Sequence, residues 1–249
     1  MTGRGPLAGY LRWQAQDSLL RAFTPVILFA GMGGIPLWSF TRTVGLGAMD
    51  QPGEAQSLAL QIYGSTMPLA MTLGAVILAT GIPATDREKQ YFRFLFAKPV
   101  VAWEFYLQQF LVALVLFAAA MTLVPVGISA IVTPVPVLAV TQSALLFGLL
   151  YGSLVVLCGA LVNKDGVAFI AVAALSFMLQ SLGKAGALPD WLALVASGLP
   201  PFVVADGMRA QWLAGQPVPL GDIIHVTGYS IGMLAAALYF VRRLPLARS

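Results

Sequence analysis

The side chains able to do chemistry in this chain are few, and none of them forms a recognisable catalytic pattern. Its Gly183-Lys184 pair is followed by Ala185, where a phosphate-binding loop has a Ser or Thr to hold Mg²⁺. Met178 stands where that loop has its first glycine. The single His225 lacks a second histidine for a haem or metal site, and no Gly-x-Ser-x-Gly sequence occurs. The sequence therefore predicts no catalytic residue, no metal ligand and no bound cofactor.

A segment with six charged residues runs from Thr85 to Pro99, with the sequence TDREKQYFRFLFAKP. Thr85 and Glu88 form a capping box, so a helix should begin at Asp86. Pro99 disfavours helical geometry at the preceding residue, so the helix should end near Ala97. Aromatic and basic residues on this short helix suit either the lipid headgroup layer or docking of a soluble partner. The residues alone leave both interpretations open.

The composition indicates the class of protein that must position these residues. Hydrophobic residues make up 59% of the 249 residues, charged residues make up 10%, and the mean hydropathy is +0.85. Soluble domains carry roughly 25% charged residues, so most of this surface must face lipid. The net charge of +4 does not indicate nucleic-acid binding, because Lys and Arg interrupt apolar runs instead of clustering on a soluble face. The single Cys158 excludes an intrachain disulfide.

Six apolar stretches are long enough to cross a membrane, which takes about 20 residues for a core of about 30 Å. They lie at residues 22–40, 57–82, 107–132, 137–162, 167–182 and 223–241. We therefore predict an all-α integral membrane protein with one transmembrane domain over residues 1–249. Residues 1–21 contain Tyr10, Trp13 and Asp17, so we expect an interfacial helix on the cytoplasmic surface and not a cleaved signal peptide.

The positive charges predict the orientation, because Lys and Arg are retained on the cytoplasmic side. With six spans, eleven of the 14 Lys and Arg residues fall on the side of the two termini. These are Arg4, Arg12, Arg21, Arg87, Lys89, Arg93, Lys98, Lys164, Arg242, Arg243 and Arg248. Arg42, Lys184 and Arg209 fall on the other side. Both termini should therefore be cytoplasmic.

Small and polar residues inside the spans suggest contacts between helices. Gly148-x-x-x-Gly152 and Gly228-x-x-x-Gly232 let helix backbones approach closely, either within the chain or at a dimer contact. We favour packing within the chain. The polar residues that could line a pathway are Gln61, Ser65, Gln142, Ser176 and Gln180. Each is more often a hydrogen-bonding residue between helices than a ligand contact.

Two segments resemble a known family. The sequence Asp86-Arg-Glu, followed by Arg93-x-Leu-x-Ala-Lys-Pro-Val100 and Glu104-Phe-x-Leu107, is similar to the segment between spans two and three of ABC-type-2 transporter permeases. Leu199-Pro-Pro201, Asp206-Gly-Met-Arg209 and Leu213-Ala-Gly215 resemble the external loop before the last span of that family. The chain departs from the family after Glu88, where Lys89, Gln90 and Tyr91 replace the common Gly-Thr pair.

The resemblance implies a permease subunit of an ABC exporter in the cell (inner) membrane. Residues 85–99 would be the coupling helix, and residues 189–216 would form outer re-entrant helices at Trp191 to Ala196 and Val203 to Leu213. The residues that would couple to the ATPase subunit are Asp86, Arg87, Glu88, Phe92, Arg93, Leu95, Phe96, Lys98 and Pro99. ATP and Mg²⁺ would bind to a separate nucleotide-binding subunit. The further partners would be a second copy or a homologous permease, together with membrane lipid.

Two other classes stay open on the sequence alone. The first is an intramembrane enzyme, or a subunit of a membrane complex unrelated to ABC transporters. The second is a proton- or ion-coupled carrier, although no carboxylate falls near the middle of a span to act as a relay.

Overall fold

All regular structure in the described residues is helical. The computed structural model describes residues 6–31, 35, 39, 52–84, 101–131, 134–162 and 164–243. Within these ranges the helices are α1 (Pro6–Phe29), α2 (Pro52–Ala79), α3 (Ala102–Ile131), α4 (Val137–Leu161), α5 (Asp165–Lys184), α6 (Asp190–Ser197), α7 (Phe202–Leu213) and α8 (Leu220–Arg243). No strand occurs in those ranges, which confirms the predicted helical class.

Four of the described helices are long and apolar enough to cross a membrane. They are α3, α4, α5 and α8, and they correspond to the predicted third to sixth spans. The pair α6 and α7 passes the same test only when its two helices are counted together. In α2, the apolar part of the described residues is the shorter segment Gly64–Ala79, because Glu54, Gln56 and Gln61 lie in its first half. The total of six spans therefore stays a prediction.

Helix α4 is the centre of the bundle. It packs against α2, α3, α5, α7 and α8, and 78% of its most apolar stretch is buried inside the protein. At Gly148 an added Cβ would lie 2.7 Å from the side chains of Leu114 and Phe117, and at Gly152 it would lie 3.0 Å from Phe110. These glycines let the aromatic residues of α3 lie directly against the backbone of α4.

Helix α1 runs alongside α3 without a break at Ala22, where the sequence suggested a boundary between a surface helix and the first span. Leu11 and Ala15 lie beside the first turns of α3, and the stretch from Leu19 to Val26 lies beside its middle. Residues 15–24 contain neither Gly nor Pro, so nothing in the local sequence ends the helix there.

Candidate functional site

The turn that follows α2 is held by side chains from two other helices. Gly81 has a φ of +90°, a conformation that favours glycine, and it reverses the chain after Thr80. The Arg21 guanidinium of α1 donates to the Thr80 carbonyl at 2.9 Å. The Gly81 N–H donates to Asp165 Oδ2 at 2.7 Å. Since residues 85–100 begin just after this turn, α1 and α5 fix the point from which that segment departs.

Asp165 is buried, with 6% of its surface exposed, and both of its carboxylate oxygens accept hydrogen bonds. Oδ2 accepts from Gly81, and Oδ1 accepts from the N–H of Gly166 at 2.8 Å. Asp165 is also the first residue of α5, where a negative charge interacts favourably with the helix dipole. A single side chain thus caps α5 and fastens the end of α2 to it.

Gly159 of α4 lies directly against the backbone of the same turn. An added Cβ would lie 3.0 Å from the Ile82 carbonyl oxygen and 3.2 Å from Pro83 Cδ. The contacted oxygen belongs to the backbone and cannot rotate away as a side chain does. Only glycine therefore allows α4 to approach the turn this closely.

The other end of the 85–100 segment joins α3, whose first turn contacts α1. Gln14 is 1% exposed, and its Nε2 donates to the Phe105 carbonyl in a long hydrogen bond of 3.4 Å. Arg21 is oriented by an ion pair with Asp17 at 3.0 Å, one turn earlier in α1. Helix α1 therefore contacts the structure on both sides of the segment. The nine residues predicted to couple to a partner, Asp86, Arg87, Glu88, Phe92, Arg93, Leu95, Phe96, Lys98 and Pro99, lie outside the described residues.

A second polar site lies where α6 meets α7. The two helices are bent by 65° at residues 198–201, which we call the elbow. Gln180 of α5 donates to the carbonyl oxygens of Leu199 at 3.3 Å and Pro200 at 2.7 Å, and it accepts from the Val203 N–H at 3.2 Å. Its amide satisfies backbone groups that the break between two helices leaves unpaired. The role of Gln180 in the described structure is therefore to hold the elbow.

The helices before and after the α6–α7 pair both contact the elbow. Lys184 at the end of α5 and His225 near the start of α8 line one cavity together with Val203 of α7. The Tyr229 hydroxyl of α8 donates to the Gly198 carbonyl of the elbow at 2.7 Å. The end of α5 and the first turns of α8 therefore lie close together beside the elbow.

Arg209 forms an ion pair within α7 and a hydrogen bond to α2. The Arg209 guanidinium bonds to Asp206 Oδ1 from Nε at 3.0 Å and from Nη2 at 2.9 Å. Its Nη1 donates to the Gly64 carbonyl near the middle of α2 at 3.3 Å. The Arg209 side chain is 7% exposed and that of Asp206 is 43% exposed, so the cation is the deeper partner.

Tyr151 of α4 joins the first residue of α7 to the core. Its ring stacks on Phe202 with centroids 4.7 Å apart and an angle of 10° between planes, and it meets the Phe169 ring edge-on at 5.9 Å. Its hydroxyl lies near Thr72 of α2. Four helices thus meet around one tyrosine at the base of the elbow.

The other predicted site residues are spread over the described structure. Gly148 and Gly152 pack within the chain, whereas an added Cβ at Gly228 or Gly232 would have nothing within 4 Å. Of the five predicted pathway residues, Gln61, Ser65 and Gln142 are exposed and Ser176 is buried, with its hydroxyl donating to Val172 O at 2.7 Å. The fifth, Gln180, is the elbow residue. Within the described ranges no group of His, Cys, Asp and Glu side chains is arranged to hold a metal ion.

Asp165, Gly159 and Tyr151 are not among the functional residues that the sequence predicted. Asp165 does have one signal in the sequence, because an acidic residue at the start of a helix is recognisable. Gly159 follows Gly152 by seven residues and extends the small-residue side of α4. The contacts of Tyr151 have no signal in the sequence, because its partners come from three other helices.

Residues 39–241 match the family described as ABC-2 family transporter protein. The match covers most of the 249 residues. The chain belongs to this family.

As an ABC-2 family permease, it is a multi-pass membrane component of an ABC transporter, a class whose members associate with a nucleotide-binding subunit. The family assignment confirms the resemblance seen in the sequence. No significant match was found among curated proteins or among solved structures. The matched region includes both the Thr80–Pro83 turn and the elbow.

Proposed function

We propose that this chain is the membrane-spanning subunit of an ABC exporter in the cytoplasmic membrane. It has six spans and cytoplasmic termini, and a separate nucleotide-binding subunit binds Mg²⁺ and hydrolyses ATP. Residues 85–99 form the coupling helix that docks on this subunit. The family assignment supports the permease role, and the charge distribution along the sequence supports the orientation.

The observation that carries the coupling role is the anchoring of the Thr80–Pro83 turn. Arg21 and Asp165 hold this turn by hydrogen bonds, and Gly159 brings α4 against it. Residues 85–99 follow directly after this turn, so they should move together with α1, α4 and α5. A packed interior transmits displacement instead of absorbing it. Motion imposed on residues 85–99 by a docked ATPase would therefore reach three helices at once.

The α6–α7 pair supports the proposal from the opposite end of the bundle. Two short helices that enter and leave at one end, with an elbow between them, are re-entrant helices when the bundle lies in a membrane. Gln180 satisfies the backbone groups of this elbow, as non-helical backbone at membrane depth requires. The elbow then lies on the outer side, where a substrate would leave.

Two copies of the permease, or this chain with a homologous one, complete the transporter. Gln61, Ser65 and Gln142 are exposed polar residues, and Ser65 and Gln142 lie in apolar helix segments, where polar side chains are unfavourable against lipid. Gly228 and Gly232 are exposed and have open space beside them. We propose that these residues face the second copy, with the polar ones lining a pathway between the two.

The test is a double substitution on the predicted coupling helix, Phe92→Ala with Phe96→Ala. Two aromatic anchors of an interface are removed, so the variant should insert normally but lose its nucleotide-binding subunit on purification and lose transport. The control is Leu11→Ala with Trp13→Ala, which removes two exposed apolar side chains of α1. The control should retain the partner.

A different role for residues 85–99 gives a different result. If this segment only lies on lipid headgroups, the double variant should show impaired membrane retention with partner binding intact. Undiminished co-purification together with normal ATPase activity would exclude the coupling role.

A further inference from the structure

A cavity of about 380 Å³ lies between the elbow and the ends of α5 and α8. It is separate from the Thr80–Pro83 turn and from the Arg209 ion pair. Its size falls within the roughly 300–1,000 Å³ typical of ligand sites. Gln180, which lines the cavity, is hydrogen-bonded to the elbow, so the position of the elbow wall depends on these bonds.

The walls of this cavity are mostly apolar. Its polar residues are Gln180, Lys184, Ser197 and His225, and the two basic ones are exposed. Ala193, Leu199 and Val204 are among the residues that form the walls. Gln180 also lines the cavity, but its amide is committed to the elbow backbone. A fully polar ligand would lose its hydration against such walls without compensation. The walls therefore suit a hydrocarbon chain.

The edge of the cavity carries Lys184 and His225. Lys184 forms no ion pair with any described residue, and none of the residues lining the cavity is Asp or Glu. A lysine supplies a positive charge with three donors, and a neutral imidazole still supplies one N–H donor. The edge is thus complementary to an anionic group.

The surface around the cavity faces lipid. Leu182 of α5, Leu194 of α6 and Ile224 of α8 are exposed, the last two at 75% and 62%. Lys184 is the last residue of a helix long enough to span the bilayer, so its ammonium group lies at the level of the headgroups. A molecule in the adjacent leaflet can therefore enter sideways, with its chain inward and its head at the membrane surface.

We propose that this elbow cavity binds an anionic amphiphile, with an acyl chain between α5, α6, α7 and α8 and a phosphate or carboxylate head on Lys184 and His225. Two sources share this chemistry, an anionic phospholipid of the bilayer and a free fatty acid. Binding does not depend on ATP, so this site stands or falls separately from the transport role. An occupied cavity would brace the elbow against α5 and α8.

The test uses the full chain in phosphatidylcholine nanodiscs that contain a small fraction of a lipid with a diazirine on its acyl chain. The probes are phosphatidylglycerol, a fatty acid and phosphatidylcholine, and crosslinked peptides are located by mass spectrometry. We expect phosphatidylglycerol or the fatty acid to label the peptides around the elbow at least severalfold more than phosphatidylcholine. The stronger of the two anionic probes identifies the source.

Two variants separate the charge from the cavity. Lys184→Gln with His225→Gln should reduce anionic labelling to the level of phosphatidylcholine. Ala193→Phe keeps both edge residues but fills part of the cavity, so labelling by every probe should fall there. Lys164→Gln, at the opposite end of α5, is the matched control and should change nothing. Thermal unfolding of each variant checks that the fold is intact.

Three results would overturn the proposal. The first is equal labelling by phosphatidylglycerol, fatty acid and phosphatidylcholine in the unmodified chain. The second is anionic labelling that persists in the folded Lys184→Gln/His225→Gln variant. The third is labelling at the elbow that survives Ala193→Phe, which would indicate lipid on the outer surface of the bundle and not in the cavity.

Discussion

The Asp165 carboxylate shows how much of this structure depends on single polar atoms. It caps the first turn of α5 and accepts the N–H of Gly81, and it is almost fully buried. A backbone N–H without a hydrogen-bond partner costs free energy in an apolar environment. The Gly81 N–H therefore needs the Asp165 carboxylate as its acceptor. The Asp165 side chain therefore links the end of α2 to the start of α5.

Asp165→Ala should destabilise the protein. The substitution leaves the Gly81 N–H without its partner, at a cost of about 1–3 kcal/mol. Thermal unfolding in detergent should therefore begin at a lower temperature. Asp190→Ala is the matched control, because Asp190 is also the first residue of a helix but is exposed. Equal loss of stability in the two variants would show that Asp165 acts only as a helix cap.

The ion pair between Asp206 and Arg209 is asymmetric, and this asymmetry is testable. Asp206→Ala leaves a buried guanidinium without its carboxylate, whereas Arg209→Met leaves a half-exposed carboxylate that can turn to solvent. A substitution that leaves a buried charge without its partner lowers the stability more than a substitution that removes the buried charge itself. We expect Asp206→Ala to lower the unfolding temperature more than Arg209→Met does.

The double variant provides the check on this comparison. Asp206→Ala with Arg209→Met should be more stable than Asp206→Ala alone, because the unpaired cation is gone. A double variant no more stable than Asp206→Ala, or a larger loss for Arg209→Met alone, would show that the bond from Arg209 to the Gly64 carbonyl dominates instead.

At the scale of elements, the α6–α7 pair depends on a residue of a different helix. Neither short helix has a side-chain hydrogen bond at its N-cap, where Pro189 and Pro201 stand. Prolines end helices but satisfy no donor, so the free backbone groups of the elbow need partners from elsewhere. Gln180 of α5 supplies them.

Gln180→Leu should loosen the elbow while leaving the long helices in place. The substitution keeps the approximate size of the side chain but removes its hydrogen bonds to Leu199, Pro200 and Val203. Hydrogen exchange of peptides covering residues 198–205 should become faster, and exchange in α8 should not change. Ser176→Ala is the control, because that hydroxyl bonds only within α5. Unchanged exchange at the elbow would show that packing around Tyr151 holds it.

At the scale of the whole molecule, the two ends of the bundle have separate tasks. One end holds the Thr80–Pro83 turn, and the other holds the elbow and its cavity. Helix α5 connects them, with Asp165 at its first residue and Gln180 in its last turns. In an ABC-2 permease, such a helix offers a direct mechanical connection between a docked partner and the opposite face.

The ends of α5 also allow a direct test of orientation. Lys164 precedes the helix, Lys184 ends it, and both side chains are exposed. From the excess of Lys and Arg on the side of the termini, Lys164 should be cytoplasmic and Lys184 external. In intact cells, a membrane-impermeant maleimide should modify Lys184→Cys and spare Lys164→Cys, in a background with Cys158 replaced by Ala. Labelling of Lys164→Cys but not of Lys184→Cys would show that the topology is the reverse of the predicted one.

The sequence by itself determined the class of protein and the position of most helices. The length of an apolar run and the presence of Pro or Gly are local properties, so they predicted α3, α4, α5 and α8 within a few residues. The family resemblance implied two short helices at Trp191 to Ala196 and Val203 to Leu213, and the observed helices are Asp190–Ser197 and Phe202–Leu213. Pro189 before the first of these helices and Pro200 and Pro201 within the elbow explain this agreement.

Only the tertiary structure decided which side of each helix faces the protein. Gly148 and Gly152 turn inward whereas Gly228 and Gly232 turn outward, although both pairs have the same spacing. In water, the polar side of a helix reveals its orientation, but in lipid both sides are apolar and the periodic signal disappears. Likewise, nothing local to Asp165 or Gln180 indicates their partners, which lie 84 and up to 23 residues away in sequence. These contacts exist only once the helices have packed, because buried polar atoms must then find partners across the bundle.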